Sequence, residues 1–379
     1  MTDSQQVTFL TGFPDSVLAR SVLRLLLEQD ATQRVLCLVD TNQHERAQRE
    51  IALLGSSAER VSLLLGEAFA MDFGLSGKQY LELAKQVTVI HHCAATTFLG
   101  ASRSEAKLGN LSTTREVLEL AEVSSRLERL VHWSSALVSG KRRGVVREDE
   151  LEASAGFRNQ IEETRFRAEK MVRQAAQTLP VTIFRPSILA GDSTTGELDP
   201  FQGLFLLVRL MLNAPAELRI PLPALGEVRL NLVPVDYVAH AGCYIAMQPQ
   251  SVGMTYHLVD PDPVSARSVF EQLSQATGHM LIQDSFAGDV LSMVLQFPGM
   301  QRIAPVPRAF LQQALTDVSY DSRQAQALLG PSGIECPRFD SYVQTLVQFV
   351  REHAQPPKPR GSRLRASAKP DQSRQWSFR

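Results

Sequence analysis

The stretch from Val7 to Asp30, VTFLTGFPDSVLARSVLRLLLEQD, sets a β-rich run, a tight turn and an amphipathic run in direct succession. Such a turn aims the free N–H groups and the positive dipole end of a helix at an anion, as in the grip on a dinucleotide's pyrophosphate. Glycines there let the backbone reach the phosphates and let the helix pack close to the strand. Gly12 is present, but Asp15 and Leu18 stand where further glycines would help. A carboxylate at Asp15 opposes a pyrophosphate unless it points to solvent or caps the helix. Either Asp15 or Ser16 can do the capping by accepting an orphan N–H. Asp40, which closes the run CLVD, is the second candidate. A carboxylate there accepts hydrogen bonds from both adenine-ribose hydroxyls and repels a 2′-phosphate, which selects NAD(H) over NADP(H). The same side chain can instead cap a helix. His91, His92 and Cys93 are consecutive on a strand-like run, and strand alternation sends neighbours to opposite faces, so no shared metal ion is expected.

Positioning that turn requires a sheet. The β-rich runs VTFLT (7–11), RVLCLVD (34–40), RVSLLLG (60–66), VTVIHHCAA (87–95), RLVHWSSALVSG (129–140) and PVTIFRPSILAG (180–191) recur through the first half. Helical runs separate them: HERAQREIALLG, YLELAKQ, NLSTTREVLELAEV (110–123) and EETRFRAEKMVRQAAQ. This alternation predicts an α/β fold, a doubly wound parallel Rossmann sheet covered on both faces. From Asp192 the pattern loosens. FQGLFLLVRLMLN (201–213) is apolar almost all round, and Pro215, Pro221 and Pro223 then interrupt the chain. LNLVPVDYVAHAGCYIAM (230–247) reads as a strand returning to the sheet and a following helix. DVLSMVLQF (289–297) and FDSYVQTLVQFV (339–350) read as amphipathic helices. The expected organisation is a Rossmann NAD-binding domain over 1–192 and a smaller C-terminal substrate-binding or lid portion over 193–354, with segments returning to the sheet. A disordered basic tail is expected over 355–379. The 201–213 helix, Met293 and Met300 suit either a channel for a lipophilic substrate or plain core.

Composition narrows the partners. Lys and Arg total 39 and Asp and Glu 40, a net charge of −1, so nothing favours nucleic acid or an anionic membrane. The polar N-terminus carries no signal-peptide pattern. No apolar run reaches the ~18 residues of a membrane span. Cys37, Cys93, Cys243 and Cys336 are widely spaced, as buried thiols of a reducing compartment would be. A cytoplasmic protein acting on a hydrophobic small molecule is expected, as a monomer or a homodimer.

The runs TGFP, LGEAFAMDFGLSG (65–77), VIHHCAA (89–95), GNLSTTREVLELA (109–121), HWSSALVSG (132–140), FRPSILAGDSTTGE (184–197) and VPVDYVA (233–239) follow one another over roughly residues 7–260. Together they resemble the extended short-chain dehydrogenase/reductase superfamily, in the branch of fatty acyl-CoA reductases and thioester-reductase domains. The resemblance implies a nicotinamide dinucleotide held by Gly12, Phe13, Pro14, Asp15, Asp40, Ala94, Arg165 and Pro186. It also implies a catalytic Asn, a Ser or Thr, and a Tyr-x-x-x-Lys pair. The Tyr gives a proton to the carbonyl that receives hydride, and the Lys binds ribose and lowers the Tyr pKa. Asn110 matches the Asn and Ser135 the Ser, but NQIEETRFRAE sets Ile161 at the Tyr position and Arg165 at the Lys position. Isoleucine has no proton to give. Arginine keeps a charge that can bridge ribose hydroxyls, yet with a pKa above ~12 it relays protons poorly. Losing a general acid slows a reaction by about 10²–10⁴. Glu162, Glu163 and His132 are the substitute acids to examine. The reading is therefore an NAD(H)-dependent oxidoreductase with an altered catalytic set (Asn110, Ser135, Arg165), reducing a hydrophobic carbonyl compound in specialised-metabolite biosynthesis. The alternative is a catalytically inactive scaffold of the same fold.

Overall fold

The computed structural model describes residues 6–200, 202–214, 220–223, 228–286 and 316–353. Its centre is a parallel sheet built from β1 (Val7–Thr11), β2 (Arg34–Val39), β3 (Val61–Leu65), β4 (Val89–His92) and β5 (Arg129–Trp133). After a short β6 (Gly144–Val146), β7 (Val181–Pro186) rejoins it, and β11 (Thr255–Leu258) completes the edge. The seven strands lie in the order β11, β7, β5, β4, β1, β2, β3. The order reverses between β1 and β4, the switch point where open α/β sheets bind ligands. All five residues of β1 are buried. Such strands have apolar neighbours on both faces, which is why they read as continuous rather than alternating hydrophobic runs.

One face is covered by α1 (Val17–Gln29) and α8 (Val235–Ala246), whose Leu18, Val22 and Leu26 join Val238, Ala241 and Ile245 in a single apolar cluster with Trp133 and Phe184. The other face carries Phe9, Ile90, Leu130 and Ile183. They pack against Leu83 of α3 (Gly77–Gln86), Val117 and Leu120 of α5 (Thr113–Val123), and Val172 of α6 (Gln160–Ala175). A further apolar cluster is made by α7 (Gly203–Leu212), α9 (Ala266–Thr277) and the helix Phe339–Glu352. The short helices α2 (His44–Ala52) and α4 (Arg103–Ala106) come after β2 and β4 in the chain.

The structure departs from the sequence reading at several boundaries. The run 230–247 does not return to the main sheet. Its strand β10 (Leu232–Val233) pairs with β8 (Ile188–Leu189) in a separate two-stranded ladder, and β11 is the segment that returns. Pro234 ends β10 after two residues, because a proline has no N–H with which to extend a ladder. The run 129–140 leaves the sheet at Trp133, and Ser135 starts a helical turn over Ala136–Ser139. The helix read from 110 begins at Arg103 and widens into a π-type turn over Lys107–Ser112. Two parallel pairs were not foreseen: β9 (Ile220–Pro223) with β12 (Leu281–Phe286), and β6 with β13 (Val318–Tyr320). Helix 289–297, Met293, Met300, Pro215 and the tail 355–379 lie outside the described residues. Among the described residues no helix is long and apolar enough to cross a membrane.

Candidate nucleotide and substrate site

A cleft of about 350 Å3 lies across the carboxyl ends of the central strands, with Gly12, Phe13, Asp15, Asp40, Ala94, Arg165 and Pro186 in its walls. Pro14 is not among the lining residues, and its carbonyl accepts a hydrogen bond from Arg20 Nη1 at 2.5 Å. Gly12 has φ 93°, and a Cβ there would stand 2.9 Å from the Ala94 nitrogen and the Cys93 carbonyl carbon. Both the left-handed conformation and the close approach to the end of β4 demand glycine. Ser16 caps α1, its Oγ accepting from Ala19 N at 3.3 Å. Leu18 forms part of the cleft wall.

Asp15 is not the cap. Its Oδ1 accepts from Arg46 Nη1 of α2 at 2.8 Å. Asp40 does two things: its Oδ1 accepts from Asn42 N at 2.7 Å and Asn42 Nδ2 at 3.0 Å, while the residue lines the cleft. The described residues that line the cleft include five carboxylates, Asp15, Asp40, Glu67, Glu105 and Asp199, and one guanidinium, Arg165.

An apolar pocket of about 110 Å3 adjoins the cleft, with Thr97, Arg165, Pro186, Leu189 and Gln202 lining both. Leu99, Leu137, Ile161, Ile188 and Leu204 line the pocket together with Ser135. Ser135 Oγ accepts from Leu137 N at 3.2 Å, which leaves its O–H to donate into the pocket. Ile161 packs against Ala101 and Ala106.

Arg165 sits between the two spaces. Its position follows from the start of α6, where Asn159 Oδ1 accepts from Ile161 N and Glu162 N, both at 3.0 Å. That cap starts the helix at Gln160, two residues earlier than the apolar pattern indicated. Arg165 Nη1 donates to the Ser134 carbonyl at 3.2 Å, and its buried Nε has no partner among the described residues. Burial lowers the guanidinium to about 10, which leaves it charged at neutral pH. One turn further on, Glu169 accepts from Ser134 Oγ at 2.6 Å and from Arg185 Nη2 at 2.6 Å. Burial works to raise the Glu169 pKa, but Arg185, Arg173 and the Ser134 hydroxyl outweigh it and hold the carboxyl at about 2. Nothing in sequence spacing links Arg185 to Glu169; the pairing exists because β7 runs beneath α6.

The remaining residues singled out by sequence take different places. Asn110 is buried, its Oδ1 accepting from Thr96 N at 2.9 Å and its Nδ2 donating to Thr164 Oγ1 at 2.9 Å. It thereby braces the loop after β4 against α6. His132 is buried, and burial first, then Arg165, lowers it to about 4 despite Glu169, so it is neutral at pH 7. Glu162 is tied to Arg158 at 2.9 Å, and Glu163 lies 3.7 Å from Arg167. His92 bonds to Thr11 Oγ1 at 2.9 Å while His91 accepts from Trp133 Nε1 at 3.4 Å, so the two rings have separate partners. Gly12 in the cleft wall next to the start of α1, and the Nε of Arg165 with no partner among the described residues, suit a dinucleotide lying along the cleft.

Residues 8–242 match the NAD-binding family described as Male sterility protein. Over 295 residues the chain is 29% identical to glycine betaine reductase of Emericella nidulans, covering 72% of this chain and 22% of that protein. The chain thus spans well under two thirds of that relative's length. The terminal R domain from the myxalamid PKS-NRPS biosynthetic pathway superposes with a TM-score of 0.78 at 26% identity, over 93% of this chain and 92% of that one. The reductase domain of a nonribosomal peptide synthetase from Mycobacterium tuberculosis superposes with a TM-score of 0.73 at 18% identity, over 93% and 92%, a likeness of fold. The chain belongs to the Male sterility family of the extended short-chain dehydrogenases/reductases, nicotinamide-dinucleotide proteins of the acyl-CoA and thioester reductase branch.

Proposed function

We propose that the protein uses NADH to reduce the carbonyl carbon of a hydrophobic small molecule, in a pathway of the specialised-metabolite kind named for its relatives. One observation carries the reading: a cleft of about 350 Å3 along the strand ends and an apolar pocket share the wall residues Thr97, Pro186, Leu189 and Gln202, and Arg165 borders both. Gly12 and the α1 N-terminus hold the pyrophosphate. Asp40 accepts from the adenosine ribose hydroxyls, and the acidic lining disfavours any further phosphate. Arg165 offers Nε to the ribose on the nicotinamide side, with Glu169 and Ser134 fixing its height on the cleft floor.

The bound cofactor supplies a hydride. Ser135 donates its O–H to the substrate's carbonyl oxygen, and Arg165 lends positive charge to the oxygen as it becomes anionic. With Ile161 in place of a phenol, the final proton comes from water entering the mouth of the cleft. This arrangement suits carbonyls that are already strongly electrophilic and serves unactivated ketones badly.

The packing of Ile161 against Ala101 and Ala106 supports a second reading, a scaffold that binds nucleotide without turnover. Incubating the full chain and NADH with a panel of aldehydes, activated ketones and quinones, and following nicotinamide absorbance, separates the two. Oxidation of NADH that falls at least tenfold on Ser135→Ala supports the reductase. Binding of NADH with no oxidation across the panel supports the scaffold.

A further inference from the structure

The sequence poses a problem at Asp15, a carboxylate set in a phosphate-binding turn. The structure answers it with Arg46. The Asp15 side chain is 41% and the Arg46 side chain 37% exposed, and their atoms meet at 2.8 Å, with Asp15 in the wall of the cleft. Arg46 stands in the first turn of α2, six residues beyond Asp40 at the exit of β2. A guanidinium there is placed to meet a phosphate on the adenosine ribose, because its planar fork matches phosphate oxygens. Asp15 Oδ1 already takes one prong of that fork, Nη1, at 2.8 Å. With Asp15 and Asp40 both beside the adenosine end, carboxylates outnumber the cation.

We propose that Asp15 is a specificity-determining residue: by engaging Arg46 it withholds the cation that a 2′-phosphate needs, and so closes the cleft to the phosphorylated dinucleotide. This rests on the proposed use of NADH and adds a second determinant to Asp40. It also accounts for the missing glycine. A glycine at 15 would ease approach to the pyrophosphate but leave Arg46 unneutralised and the cleft open to both cofactors.

The two effects of Asp15 can be separated. Its repulsion of the pyrophosphate is common to NADH and NADPH and cancels in the ratio of their dissociation constants. Its hold on Arg46 affects only the cofactor carrying a 2′-phosphate. The test is to titrate NADH and NADPH into the wild-type chain, Asp15→Asn, Arg46→Ala and the double variant, with circular dichroism confirming that each is folded. Asp15→Asn should shift the NADPH-to-NADH affinity ratio toward NADPH on the order of tenfold, the worth of one charge-assisted hydrogen bond. Arg46→Ala in the same chain should cancel that shift. Equal gains for both nucleotides in Asp15→Asn, or a shift that survives loss of Arg46, would overturn the proposal while leaving NADH use intact. Binding of neither nucleotide to any of the four proteins would overturn the cofactor reading itself.

Discussion

The two ends of the cleft have changed in opposite ways. At the adenosine end the residues depart from a glycine-rich turn, yet each departure has an answer in the structure. Ser16 caps the helix, Arg46 neutralises Asp15, and Gly12 keeps its close approach to the end of β4. At the other end, the proposed reading gives α6 the spacing of a catalytic pair without its chemistry. Ile161 packs against Ala101 and Ala106, Glu162 and Glu163 are held by Arg158 and Arg167, and His132 is neutral. Binding tolerates replacement of parts as long as charge and shape are conserved, whereas proton transfer needs one particular group at one place.

That contrast can be pressed hardest by restoring the lost chemistry. Ile161→Tyr with Arg165→Lys should raise carbonyl-reductase turnover by about 10²–10⁴, the usual worth of a general acid. The larger ring will strain the pocket of Ala101 and Ala106, lowering stability by about 1–3 kcal/mol, which thermal unfolding measures. A folded double variant with unchanged turnover would show that the nicotinamide end has lost more than its acid.

Acid titration probes the floor beneath Arg165. His132 is held neutral in the fold, down from its ordinary value to about 4. Its contribution to stability is therefore complete above the unfolded value near 6.5 and disappears as pH falls through about 4. The wild-type chain should lose on the order of 3 kcal/mol relative to His132→Gln across that window, read from denaturant midpoints at each pH. Parallel curves for the two proteins would contradict the burial described for this ring.

Smaller effects belong to the adenosine end. Gly12→Val forces a β-branched residue into a left-handed conformation and against β4, so NADH affinity should fall about 10- to 100-fold, measured by calorimetry. Asp40→Ala should weaken NADH by about tenfold and NADPH far less, since only the unphosphorylated ribose offers both hydroxyls. Equal losses would mean that Asp40 serves only to cap the turn at Asn42.

Much of this was legible in the sequence. The parallel sheet was, because strands buried on both faces are unbroken apolar runs and the helices between them are long enough to be periodic. That Ile161 and Arg165 share one helix was legible for the same reason. What escaped depends on neighbours distant in the chain. Arg46 meets Asp15 across 31 residues, and Arg185 meets Glu169 only because a strand passes under a helix. Asn110 reads as a site residue by its motif, yet its amide is engaged by Thr96 and Thr164, neither of which its own helix predicts. The two-residue strands β8 and β10 were too short to carry a period at all.

The central claim is that this cleft still receives a nicotinamide dinucleotide although its turn has lost glycines and its floor a lysine. Calorimetric titration of the full chain with NADH tests it most directly. Saturable one-to-one binding in the micromolar range, tighter than for NADPH, is the result expected; no heat of binding for either nucleotide up to millimolar concentration would contradict it.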